Sequence, residues 1–175
     1  GIDLTPDYVE TGKVLCSWLG LDQRVNLHCG SALAMPFEES LFDAAVMLHV
    51  GMNIEDKHGL FTEVSRVLRP GTVFGIYDIM RQNDDPLVYP VPWADMPDIS
   101  TLAPPQEYRL ALMDAGFEIT AERNRYEFAA EFFVEQQMRL ETQGGPPPLG
   151  LNILLGDTAA VKVRNMIDNI AAGRV

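Results

Sequence analysis

Val67-Leu68-Arg69-Pro70-Gly71-Thr72-Val73-Phe74-Gly75-Ile76-Tyr77-Asp78 decides how this chain folds. Arg69-Pro70-Gly71 stops the helix before it, because proline has no N–H for a helical bond and glycine accepts the backbone geometry past a helix end. Thr72 to Tyr77 is rich in β-branched and aromatic residues and reads as a strand ending at Asp78. Upstream, Leu60, Phe61, Val64, Val67 and Leu68 recur at the spacing of one helix face and predict an amphipathic helix over roughly Ile54–Leu68. Before that, Phe42–Leu48 is apolar throughout after Asp43, as a strand covered on both faces requires. Strands alternating with helices in this way predict an α/β fold built on a mostly parallel sheet flanked by helices.

The pattern extends in both directions. Ile2–Leu4 reads as a short strand end. Thr5-Pro6 then starts a helix, with a hydroxyl at the N-cap and proline at the first helical position. That helix runs to about Leu19, with Tyr8, Leu15, Trp18 and Leu19 on one face, and Gly20 ends it. Val25–Cys29 is a further strand, and Gly30–Glu39 a loop containing Met35-Pro36-Phe37. Downstream, residues 84–105 carry Pro86, Pro90, Pro92, Pro97, Pro104 and Pro105, with Tyr89 and Trp93 among them, so no regular element fits. Long loops inside compact domains are uncommon and often functional. Gln106–Ala115 is a short helix closed by Gly116, and Phe117–Arg123 a fifth strand.

The tail is helical. Tyr126–Thr142 places Phe128, Phe132, Phe133 and Met138 on an apolar side, which reads as core. Gly144–Gly150 is a break rich in Pro and Gly. A last helix over Thr158–Ala172, capped by Asp157, buries Val161, Met166, Ile167 and Ile170. Two regions follow: 1–125 as the α/β part, and 126–175 as a helical C-terminal extension packing on it.

Composition bounds the function. The chain has 175 residues, 47% of them hydrophobic and 22% charged, enough to bury a core without disulfides or metal. A net charge of −12 without a basic stripe argues against nucleic acid as a partner. Cys16 and Cys29 lack metal-ligand or redox spacing and read as buried thiols of a reducing, cytoplasmic setting. No apolar run is long enough to span a bilayer, so no membrane association is expected, and no basic leader precedes an apolar stretch. The chain opens at Gly1, inside a strand pattern, so the gene product is expected to begin earlier.

Five segments in order resemble the class I, Rossmann-like S-adenosylmethionine-dependent methyltransferases, nearest the small-molecule branch. They are Gly1-Ile2-Asp3-Leu4-Thr5-Pro6, Gly30-Ser31-Ala32 with Met35-Pro36-Phe37, Ser40-Leu41-Phe42-Asp43, Val67-Leu68-Arg69-Pro70-Gly71, and Ala115-Gly116-Phe117. Each is weak alone; together, in this order, they cover about Gly1–Arg123. The resemblance implies S-adenosyl-L-methionine as cofactor, methyl transfer to a small-molecule substrate as activity, and residues 84–105 on the substrate side.

It also implies site residues. Asp3, beside Leu4 at a strand end, would accept from the cofactor's ribose hydroxyls, although a carboxylate there also suits a helix start or a nicotinamide dinucleotide. In the turn Gly30-Ser31-Ala32, the Ala32 N–H would meet the adenine ring. Ser31 stands where the family has an acidic residue, so it is either an uncharged acceptor or simply a turn residue. Leu48, His49 and Asn53 lie beyond a strand's carboxyl end, where ligands of open α/β sheets bind. His49 is the histidine placed for a catalytic base, needed only if the acceptor must lose a proton, or for a substrate contact; a structural or cofactor-lining histidine is the alternative. Tyr77, Tyr89 and Trp93 would touch substrate, as a cage for an alkylated ammonium or as packing of a Pro-rich lid. No metal is implied.

The family's first strand and its Gly-x-Gly loop belong upstream of Gly1 by this alignment, and its last strand after Val175. The first strand lies between the strands at Ile2–Leu4 and Phe42–Leu48, so its absence leaves two open edges about 10 Å apart at a strand spacing of ~4.8 Å. Either those strands pair directly, or a second chain fills the gap; a homo-oligomer compensating for missing strands is expected. The competing functional expectation is an inactive truncated remnant that folds and associates without binding cofactor. A dehydrogenase is disfavoured by the Leu-Arg-Pro-Gly turn and the Met-Pro-Phe segment.

Overall fold

The computed structural model describes residues 1–143 and 149–175; most of the break expected over Gly144–Gly150 lies outside the described residues. The order is β1 (Ile2–Asp3), α1 (Pro6–Trp18), β2 (His28–Cys29), β3 (Phe42–Leu48), α2 (Lys57–Val67), β4 (Leu68–Tyr77), α3 (Pro105–Asp114), α4 (Tyr126–Gln143), α5 (Leu151–Leu155) and α6 (Ala159–Ala171). Short 3₁₀ turns fall at Gly51–Asn53, Pro97–Ile99 and Gly156–Thr158. The α/β alternation is as expected.

Among the described residues the strands form two separate two-stranded sheets, β1 with β2 and β3 with β4. β1 and β2 are parallel, with Ile2 opposite His28 and Asp3 opposite Cys29. β3 and β4 also run the same way: Leu41 N–H donates to Val67 O at one end (2.9 Å) and His49 N–H to Tyr77 O at the other (2.8 Å). Direct pairing of β1 with β3, one of the two expected outcomes, does not occur.

Contacts divide the chain into two compact units. The first comprises residues 1–46, 56–76 and 111–118; the second comprises 47–55, 77–110 and 119–175. In the first, the α2 stripe is buried as expected, with Leu60, Phe61, Val64, Val67 and Leu68 almost fully enclosed. Phe61, Phe74 and Phe117 follow one another at ring separations of 6.0 and 5.6 Å. α2 starts three residues later than expected because the Asp56 side chain accepts from Gly59 N–H (2.7 Å) and so fixes the cap.

Several local expectations need correction. The strand expected at Val25–Cys29 shrinks to two residues, since its partner β1 has only two and a ladder cannot outrun its partner. Arg24 and Val25 instead donate back to Leu21 O in a turn. No strand forms at Phe117–Arg123; it has no ladder partner, and its charged residues are solvated, with Glu122 held by Arg109 (2.6 Å). On α1, Val9 is buried while the supposed inner face is open, Trp18 to 78%. Thr5 makes no side-chain cap; Asp3 Oδ1 accepts its N–H instead (2.8 Å). Cys29 is exposed and Cys16 half-buried. On β3, expected to be covered on both faces, Val46 and Leu48 are 70% and 57% exposed.

In the second unit the Pro-rich segment is packed rather than loose. Val91, Ala94 and Ala103 are buried, and Val91 and Ala94 form an antiparallel bridge beside a cis Tyr89–Pro90 bond. α6 holds it with amide side chains. Asn169 Oδ1 accepts from Val88 N–H (2.9 Å), and Asn169 Nδ2 donates to Val88 O (3.0 Å). Asn165 Nδ2 donates to Pro90 O (2.9 Å) and Lys162 pairs with Asp95 (2.8 Å). α6 thus buries Asn165, Asn169 and Ile170, whereas Met166 and Ile167 are only half-buried and Val161 is exposed. Its N-cap is Thr158, whose hydroxyl donates back to Leu155 O (2.8 Å) and caps no helix N–H, not Asp157, which sits in the preceding 3₁₀ turn. The α4 aromatics expected as core are largely open: Phe128 and Phe132 are exposed, and Arg125 lies 4.2 Å over the Phe128 ring.

Candidate functional site

The candidate residues fall into one group in each unit. In the first, the parallel register sets the end of β1 beside the end of β2: Asp3 faces Cys29, and Gly30 N–H donates to Asp3 O (2.9 Å). Asp3 is half-buried, and its carboxylate accepts from Thr5 N–H through Oδ1, so it supports the helix start. Leu4 is exposed, and its carbonyl accepts weakly from the Cys29 thiol (3.7 Å). Ser31 Oγ accepts from Leu33 N–H (3.1 Å) and Ser31 O from Ala34 N–H (3.2 Å), so Ser31 builds the turn that carries Ala32. A cleft of about 250 Å³ beside Asp3 is lined by Gly1, Ile2, Tyr8, Val9, Leu27 and His28.

This turn continues into a loop tied to α2. Arg66 donates from Nη1 to Phe37 O (2.8 Å) and from Nη2 to Met35 O (3.1 Å). Glu63 accepts from Met35 N–H (2.7 Å) and holds the guanidinium through two further bonds of 2.7 and 2.8 Å. The bond from Arg66 keeps the Glu63 carboxyl below its ordinary range, against the opposing effect of burial and with help from Met35 N–H.

In the second unit, His49 and Tyr77 come together. His49 has φ +53°, unusual for a residue with a side chain, and its ring meets the Tyr77 ring edge-on at 5.0 Å. Leu48 and Asn53 are exposed, and Asn53 N–H closes the 3₁₀ turn on Val50 O (3.1 Å). Tyr89 and Trp93 are half-buried in the Pro-rich segment, where the Trp93 indole donates to Ser100 Oγ (3.0 Å).

The sequence reading noted Asp78 but missed Tyr108, which donates to Asp78 Oδ2 (2.8 Å). Tyr108 is 2% exposed; burial first, then the Asp78 charge, drives its phenol well above the ordinary value, so it remains a donor. Gly51 packs against both groups: a Cβ there would come within 2.7 Å of the Tyr108 hydroxyl and closer still to Asp78 Oδ2. An apolar spacing rule cannot find a tyrosine whose role is set by a carboxylate thirty residues away. Among the described residues no group of three or more His, Cys, Asp or Glu could hold a metal, and no helix is long and apolar enough to cross a membrane.

Residues 1–76 match the methyltransferase domain family. Over that stretch, under half of its length, the chain is similar to the class I S-adenosylmethionine-dependent methyltransferases that act on small molecules. It is 31% identical over 84 residues to the sterol 4-C-methyltransferase of Caenorhabditis elegans, covering 48% of this chain and 25% of that protein. It is 28% identical over 86 residues to the norajmaline N-methyltransferase of Rauvolfia serpentina, covering 49% and 30%. Its fold is similar to that of a candidate sarcosine dimethylglycine methyltransferase from Galdieria sulphuraria, with a TM-score of 0.78 at 18% identity, over 99% of this chain and 64% of the other. The chain therefore spans about a quarter to a third of the curated relatives it matches, and under two thirds of that structure.

Proposed function

We propose that this chain serves S-adenosyl-L-methionine-dependent methyl transfer to a small-molecule acceptor. The cofactor supplies an electrophilic methyl group on a sulfonium. Asp3 accepts from the ribose hydroxyls through its second carboxylate oxygen, the Ala32 N–H donates to the adenine, and Leu4, Gly30 and Ser31 line the nucleoside. These residues fit the nucleoside portion of the cofactor. The observation that supports this reading is the parallel register of β1 and β2, which sets Asp3 opposite Cys29, the residue before the Gly30-Ser31-Ala32 turn. On the acceptor side, Asn53, Tyr77, Tyr89 and Trp93 position substrate, and His49 removes a proton where the acceptor carries one. Residues 1–125 form the methyltransferase part and 126–175 its helical extension. The relatives named above methylate carbon in one case and nitrogen in another, so the acceptor atom stays open.

The separation of the strands into two sheets favours a second reading: a chain that folds and self-associates through its open strand edges without binding cofactor. Isothermal calorimetry with S-adenosylhomocysteine, run beside sedimentation at several protein concentrations, separates the two. Saturable binding supports the methyltransferase reading, and a concentration-dependent oligomer that binds supports edges completed by a second copy. Self-association without binding, restored by adding a relative's first strand and glycine-rich loop, supports the remnant. A monomer at all concentrations overturns the oligomer.

A further inference from the structure

We propose that Glu63 and Arg66 are positioning residues for adenine recognition: through the main chain of Met35–Phe37 they hold the Ser31–Ala34 turn in the shape that presents Ala32. The inference rests on the reading above, in which Ala32 meets the base.

The loop after β2 has no ladder of its own, and Pro36 has no N–H to give one. Its polar main-chain groups need partners from elsewhere. One ion pair on α2 supplies three of them, on both sides of Pro36: Met35 N–H, Met35 O and Phe37 O. The guanidinium is suited to this because its planar fork serves two carbonyls and a carboxylate at once, which a lysine ammonium on a flexible stem does not match. Both side chains are partly enclosed, Glu63 at 15% and Arg66 at 30% exposure, so this is not a solvated surface bridge. The Phe37 ring is fixed as well, edge-on to His28 and to Phe42 at 5.1 Å each.

At its other end the same stretch is anchored by Gly30 N–H on Asp3 O, and within the turn by Ser31. Ala32 lies between the two anchors. Neither Glu63 nor Arg66 need touch a ligand; they act by removing the loop's freedom before one arrives, which lowers the ordering cost of binding.

The test compares the native chain with Arg66→Gln and Arg66→Lys. Two readouts are used: amide exchange at Met35 and Phe37, and affinity for S-adenosylhomocysteine against S-inosylhomocysteine, which differ only in the base. Arg66→Gln is expected to speed Met35 exchange and lower the preference for the adenine ligand about tenfold, with Arg66→Lys recovering little. A purely structural role would weaken both ligands equally and leave the preference intact, which overturns the proposal. Unchanged exchange at Met35 overturns it too. If the native chain binds neither ligand, the cofactor reading fails and the adenine role fails with it. If native binding persists with its preference intact in Arg66→Gln, only this proposal fails. Should Arg66→Gln not fold, Glu63→Gln carries the same comparison, since it can keep an acceptor oxygen for Met35 while removing the charge and turning the oxygen that accepts from Arg66 Nε into a donor.

Discussion

Replacing Asn169 by leucine tests whether α6 organises the Pro-rich segment. Asn169 is fully buried, and its amide both accepts from and donates to the main chain of Val88, at 2.9 and 3.0 Å. Leucine has nearly the same shape and neither polar group. The two bonds to Val88, at about 0.5–1.5 kcal/mol each, give a loss of about 1–3 kcal/mol if water replaces them, and a third, long bond from Arg174 Nη1 (3.4 Å) goes with them. A Val88 group left buried without a partner adds about 1–3 kcal/mol. Val88 is 39% exposed, so partial rehydration is expected and the loss should fall near 2–4 kcal/mol. For a chain of this length that is roughly 5–12 °C in Tm. Asn165→Leu is the internal comparison: it removes a single bond to Pro90 O, and the cost should be about half. Urea unfolding gives the energies, and exchange at the Val88 amide reports the site directly. A change within about 0.5 kcal/mol, with Val88 protection unaltered, would refute the clamp.

Three further outcomes follow from the same geometry. Gly51→Ala drives a methyl into the Asp78 carboxylate and the Tyr108 hydroxyl, and should cost about 1–3 kcal/mol in denaturant unfolding. Because burial and Asp78 hold the Tyr108 phenol protonated, one of the five tyrosines should resist alkaline spectrophotometric titration until the chain unfolds, and Tyr108→Phe should abolish that lagging step. Glu63 has a folded pKa below its unfolded one, so the unfolded chain binds more protons between the two values and stability rises with pH across that window. Its contribution is complete above the ordinary carboxylate range and is lost as pH falls through the depressed value; Glu63→Gln should flatten the acid limb of a stability–pH curve, and an unchanged slope would contradict the assignment.

Much of the fold was legible because short-range chemistry governs it. The Arg69-Pro70-Gly71 stop, the α2 stripe and the order of strands and helices follow from backbone limits and periodicity, and the structure agrees. The failures arose where a partner far along the chain decides. Phe117–Arg123 has the residues of a strand but pairs with none, and β2 is cut to the length of β1. The α6 pattern was read from its apolar residues, whereas the helix buries Asn165 and Asn169 because Val88 and Pro90 need hydrogen-bond partners. Tyr8, Leu15, Trp18 and Leu19 do share a stripe, but a stripe does not guarantee a surface to cover it. At the site, Asp3, the Gly30-Ser31-Ala32 turn, His49 and Tyr77 were named from their places after strands, but the contact between His49 and Tyr77 was not foreseen. The Glu63–Arg66 tie and the Tyr108–Asp78 bond were not, since nothing local marks a side chain that serves a distant group.

The bonds from the chain's end to its middle also bear on the order of folding during synthesis. Val88 is separated from Asn169 by 81 residues, Asn83 donates to the carbonyl of Gly173, and Gln82 to that of Arg174. A ribosome adding residues at about 5–20 per second therefore exposes the Pro-rich segment for several seconds before any of these partners exist. During that interval the β3–β4 pair and α2, whose contacts are near in sequence, can form, while the stretch around Val88 and Pro90 waits for its α6 partners. A nascent chain stalled short of Asn165 should thus present a cleavable middle and a protected β3–α2–β4 core.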